Sequence, residues 1–189
     1  MIPTAGETLR ALYGAYRLAR LDAGGMAYFD SSIGGFWRSF FAAVLVVPFY
    51  ALLLVMRYET GVVAAGAGSF AAVEIIAYVI AWVAFPLAMV SVARVLEREE
   101  CYLGYIVAYN WAAVLQNALY LPIAMIGVAG GMDVGSANAA GLVALFLILG
   151  YSWFVARTAL AVGAGTAAIV VALDLVLGIV INSVAESML

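Results

Sequence analysis

The chain has 189 residues, 68% of them hydrophobic and 10% charged, where soluble domains run near ~45–50% apolar and ~25% charged, so most of its surface must face lipid. It has no histidine and one cysteine, Cys101, which excludes histidine-based catalysis, an internal disulfide and a multi-cysteine zinc site. The net charge is −3 and every basic residue is arginine; no basic cluster with interleaved aromatics is present, which argues against nucleic acid as a partner.

Residues 1–35 are not apolar enough to span a bilayer. In the run GETLRALYGAYRLARLD, Leu9, Leu12, Tyr13 and Tyr16 recur at helical spacing, and Arg10, Arg17 and Arg20 fall elsewhere on the wheel. Glu7 and Arg10 are spaced to pair at i, i+3. The pattern predicts an amphipathic helix in the headgroup plane, with its arginines near anionic lipid. The plainer alternative is a helix packed on its own bundle. A glycine-flanked connector follows, and its Met26, Tyr28 and Phe29 are expected to dip into the interface. No secretory signal peptide is evident, so insertion is expected to use the first span.

Residues 36–189 form the second part, a transmembrane domain with five predicted helices at about 36–56, 70–94, 102–128, 139–157 and 166–184. Each is long enough for a hydrocarbon core of ~30 Å. Trp37 with Arg38, and Arg57 with Tyr58, anchor the ends of the first span, and Pro48 predicts a kink within it. In the second, Ala77, Ala81, Ala84 and Ala88 make a small-residue stripe, the usual device for close helix approach in lipid. A charge-dense hairpin, Arg94 to Glu100, leads to the third span, which bends at Pro122. With the N-terminus cytoplasmic and the C-terminus outside, every arginine except Arg57 lies on the cytoplasmic side, as positive charge in short loops favours.

The third span carries most of the polar side chains. At ~100° per residue, Tyr102, Tyr105, Tyr109, Asn110, Ala113, Gln116, Asn117 and Tyr120 share an arc of roughly 140°. The opposite face, with Val107, Ala108, Trp111 and Ala112, is expected to meet lipid. Asp174 lies mid-way along the fifth span, where a carboxylate costs ~2.5–3.5 kcal/mol unless it is protonated, paired or wetted. Its ridge is Thr166, Val170, Asp174, Gly178 and Asn182. Asn110 lies ~12 Å into its own span at ~1.5 Å per residue, a depth that matches Asp174. Facing third and fifth spans, with Asn110 hydrogen-bonded to Asp174, are therefore expected. The contact reads either as a polar binding site or as a structural link between helices.

Glu74, Gln116 and Asn117 lie in the outer half. They either close the same polar track or, the reading favoured for Glu74, its carboxylate snorkels to the outer headgroups. Arg157 is expected to hold Glu97, Glu99 or Glu100, or a lipid phosphate. Tyr102, Tyr105 and Trp153 read as an inner aromatic belt. No catalytic constellation, metal set or cofactor motif occurs, so no enzyme activity, metal or cofactor is expected.

The aromatic–Asp step Tyr28-Phe29-Asp30, the Gly35-Phe36-Trp37-Arg38 entry, the Leu103-Gly104-Tyr105 opening with Tyr109, and the late Pro122 together resemble the bacterial branch of the Yip (Ypt/Rab-interacting-protein domain) family over roughly residues 25–185. The resemblance implies a five-span fold in the bacterial inner membrane and a non-enzymatic adaptor or scaffold role; the Asp-Leu-Tyr-Gly-Pro sequence of the eukaryotic branch is absent. Two functions stay open. One is an adaptor, or a subunit of a larger membrane assembly, whose partners are the bilayer and another membrane protein or a second copy. The other is a small oligomeric transporter or channel for a proton, cation or polar solute at an Asp174/Asn110 site.

Overall fold

Each apolar run becomes one helix, because a backbone in hydrocarbon must satisfy its own hydrogen bonds. The computed structural model describes residues 2–61 and 64–189. They form α1 (Ala5–Ala19), a 3-10 turn (Ala23–Tyr28), α2 (Ile33–Ser39), α3 (Phe41–Glu59), α4 (Ala67–Val95), α5 (Tyr102–Val128), α6 (Val134–Ala159) and α7 (Ala164–Ser187), with no strand among the described residues. Five helical segments are long and apolar enough to cross a membrane: Ile33–Glu59, Ala67–Val95, Glu99–Val128, Val134–Ala159 and Ala164–Ser187. All five run past the boundaries that hydropathy predicts, because flanking residues too polar or too small to score as apolar still continue the helix.

Helix α5 is the hub. It packs on α3 and α6, α6 carries α7, and α7 carries α4. Helices α3 and α4 meet mainly through side chains. The Tyr78 hydroxyl donates to Ala43 O at 2.7 Å, and the Tyr50 and Tyr78 rings lie 5.0 Å apart. The N-terminal half of α5 leaves no face exposed, contrary to the lipid face that periodicity predicts. Val107, Ala108, Trp111 and Ala112 are all buried, because α1 and α2 lie along this half of α5.

The same arrangement packs the N-terminal segment on the bundle, as the plainer alternative has it. Helix α1 starts with a capping box in which Thr4 and Glu7 bond reciprocally, a device that satisfies two orphan backbone donors. It buries Ala11, Gly14, Ala15 and Leu18 and leaves Leu9, Tyr13 and Tyr16 exposed. Tyr151 on α6 donates its hydroxyl to Ala15 O at 2.7 Å. The chain turns back on itself where Gly14 meets Gly25: a Cβ on Gly25 would sit 2.5 Å from Gly14 O. Phe29 is buried and Met26 packs on the core, so the connector faces the bundle and not the interface.

Ion pairs fix this N-terminal cover. Arg38 on α2 pairs with Asp30 and, at 3.3 Å, with Glu7. Arg17 pairs with Asp22 at 2.5 Å. Arg10 donates to Ala27 O at 3.1 Å, so the expected Glu7–Arg10 pair does not form. Hydrogen bonds from Thr4 and then the charge of Arg38 hold the Glu7 carboxyl below its usual range. Asp30 is held down by hydrogen bonds from Ser32 and then by Arg38.

Candidate functional site

The polar side chains of the spans do not scatter. Tyr50 of α3, Glu74, Tyr78 and Trp82 of α4, Tyr109, Gln116 and Asn117 of α5, and Gly178 and Asn182 of α7 line one cavity of about 310 Å³. Ala77 and Ala81 complete the α4 wall. Half of the predicted alanine stripe therefore makes room for a void, where close helix contact was expected. Gly178 and Asn182 bring the predicted ridge of α7 to the same space, as its i+4 spacing requires.

Glu74 is the buried charge of this site. It is 5% exposed, so it does not snorkel. Tyr50 donates its hydroxyl to Glu74 Oε2 at 2.9 Å, and the Arg57 guanidinium stands 3.7 Å from Oε1. A carboxylate at this depth is tolerable because a charge-assisted hydrogen bond and a cation both reach it. Arg57 also approaches Glu186 at 3.8 Å, so one guanidinium bridges two acids at one end of the cavity. Sequence reasoning missed Tyr50 and Arg57 because both are on another span. Their i, i+7 spacing on one face of α3 was the available signal.

The expected Asn110–Asp174 bond is absent. Tyr109 donates to Asp174 Oδ1 at 2.8 Å, and Asn110 Nδ2 donates to Ser39 Oγ at 2.8 Å. Neighbouring helical residues point ~100° apart, so only one of the two can face α7. Asn110 faces α2, fully buried, and its Oδ1 accepts no hydrogen bond from the described residues. Asp174 is therefore tied to the cavity through Tyr109, and Asn110 lies outside it. Gln116 and Asn117 line the cavity together with Glu74.

The charged residues expected at the headgroups divide. Arg10 and Arg17 are engaged within the chain. Arg20 stacks on the Tyr16 ring at 5.8 Å, and Arg157 on Trp153 at 5.3 Å. Among the described residues no carboxylate pairs with Arg157, so the expected link to Glu97, Glu99 or Glu100 does not form. Tyr105 is buried against the core, not part of an interfacial belt. Compared with known proteins, the chain matches no family model, no curated protein and no solved structure.

Proposed function

We propose that this chain is a non-enzymatic, multi-pass membrane protein that binds a small polar solute within the membrane, and that it belongs to the transporter or channel class. The observation that carries this reading is the four-helix cavity of about 310 Å³ that holds the buried Glu74 under the Arg57 bridge. Pure helix-to-helix contacts in lipid favour small residues and paired polar groups with no space between them. Here the polar groups surround space. Asp174 stands behind the wall, held by Tyr109, and the working site is Glu74, Tyr109, Gln116 and Asn117, with Asp174 as a second acid one hydrogen bond away.

The test is to fill the cavity. No atom lies within 4 Å of a Cβ built on Gly178, so a side chain there enters open space. The purified protein in nanodiscs is screened by thermal shift against small cationic, neutral and anionic solutes. Stabilisation of the wild type by one class, lost in Gly178→Trp, supports the reading. Equal responses of the two proteins to every class overturn it.

The adaptor reading is favoured by one separate observation, the outward Leu9, Tyr13 and Tyr16 with the exposed Arg20 on α1. An apolar ridge flanked by arginine suits an interfacial helix at the cytoplasmic leaflet, with Arg20 and Arg157 near lipid phosphates. The bacterial inner membrane, a cytoplasmic N-terminus and a Yip-like adaptor role belong to this proposal. Cysteine labelling from either side of sealed vesicles tests the orientation; a residue-20 label reached only from outside the cell would sink it.

A further inference from the structure

The cavity wall combines hydrogen-bonding groups with aromatic faces. The hydroxyls of Tyr50, Tyr78 and Tyr109 donate to Glu74, Ala43 O and Asp174. Each phenol has then spent its only proton, and what it offers the cavity is ring surface and lone pairs. Gln116 gives an amide N–H to Ser152 Oγ and Asn117 gives one to Ala113 O. Neither amide oxygen receives a hydrogen bond among the described residues. Each of these amides keeps its second N–H and Asn182 adds a further amide, so the wall offers donors, acceptor oxygens and aromatic faces together, with a buried carboxylate at one end.

Ligand classes separate on this chemistry. An anion would face Glu74 and the amide oxygens with Arg57 already shared between two acids. A hard metal ion needs about six to eight oxygens closing on it, and ring surface supplies none. A neutral sugar-like solute would stack on the ring faces but leave the buried charge unanswered. An organic ammonium uses the charge and the ring faces together, since ring faces attract cations strongly once water is removed. We propose, resting on the cavity reading above, that the solute is an organic cation held between Glu74 and the rings of Tyr50, Trp82 and Tyr109.

Arg57 then has a definite role. At 3.7 Å it stands in for the ligand at Glu74, and Glu186 at 3.8 Å receives it when the ligand arrives. The protein's own arginine competes with the incoming cation for Glu74.

The test uses the purified chain in nanodiscs with choline and benzyltrimethylammonium as probe cations. The controls are glycerol and the uncharged isostere of choline, in which a tert-butyl group replaces the trimethylammonium. The cations are expected to bind, with the isostere about tenfold weaker or worse. Glu74→Gln, which keeps the shape and an acceptor for Tyr50, is expected to weaken cation binding about tenfold, and Trp82→Leu severalfold. Arg57→Gln is expected to tighten it severalfold, a gain that misfolding cannot produce. Glycerol or the isostere binding as well as the cations, and lost in Gly178→Trp, would overturn the cation assignment and leave the cavity reading standing. Binding by no solute of any class overturns both. Cation binding unchanged in both Glu74→Gln and Arg57→Gln overturns this site.

Discussion

The Tyr109 hydroxyl reaches Asp174 Oδ1 at 2.8 Å across helices α5 and α7, each of which packs chiefly on α6. The bond is therefore a strut over a gap, and the aspartate depends on it. Tyr109→Phe removes the donor and keeps the ring. It is expected to cost about 1 kcal/mol, the scale measured for interhelical hydrogen bonds in bilayers. Tyr109→Phe combined with Asp174→Leu should recover part of that loss, since no polar group is then orphaned. Unfolding in mixed micelles measures both, and a double variant weaker than the sum of the singles would contradict the strut.

Ser39 and Asn110 make the opposite case. Both are fully buried, and Asn110 Oδ1 is unpaired even with the Ser39 bond in place. Ser39→Ala leaves the amide with no partner at either end and should cost about 1–3 kcal/mol. Asn110→Leu is nearly isosteric and removes every unpaired group, so it should be neutral or stabilising. The two melting temperatures, read against wild type, are expected to move in different directions or by clearly different amounts; an equal drop in both would refute the account.

The N-terminal cover turns on a glycine crossing. A Cβ on Gly25 would fall 2.5 Å from the Gly14 carbonyl oxygen and 2.9 Å from the Leu18 side chain. The nearer atom is backbone and cannot swing aside. Gly25→Ala is expected to push the 3-10 turn off α1, at a cost of about 1–3 kcal/mol as an overpacked contact. Limited proteolysis should then cut between residues 19 and 33 faster than in wild type, while the five spans stay protected.

The same cover has a pH limit. Glu7 and Asp30 both titrate below the ordinary carboxylate range, Glu7 through Thr4 and Asp30 through Ser32, each with help from Arg38. A group whose pKa is lowered by folding adds stability above its unfolded value, and that stability goes as pH falls through the lowered value. Docking of α1 should therefore hold down to about pH 4, the unfolded carboxylate range, and weaken below it. The emission of Trp111, buried beside this cover, measures the release. Loss of docking between pH 5 and 8 would contradict the assignment.

The five spans were legible because hydropathy and length alone decide what crosses a bilayer. The partners of the polar residues were not. Depth matched Asn110 to Asp174 well, but a helix turns ~100° at each step, so the neighbouring tyrosine took the contact. Glu74 was read as snorkelling to the outer headgroups because its own helix shows nothing to hold it; Tyr50 and Arg57 come from α3. The lipid face assigned to Val107 and Trp111 failed for a related reason. Periodicity identifies an apolar surface, and it does not say whether lipid or the N-terminal helices α1 and α2 of the same chain will cover it.

The bond from Tyr151 to Ala15 joins residues 136 positions apart. The seat of α1 is made by α5 and α6, and both emerge from the ribosome long after α1 itself. Throughout that interval the N-terminal helix has only its own turn, Ala23–Tyr28, and α2 to pack on. The Tyr151 latch can close only once α6 has been made, so the seating of α1 is a late step in the folding of the chain.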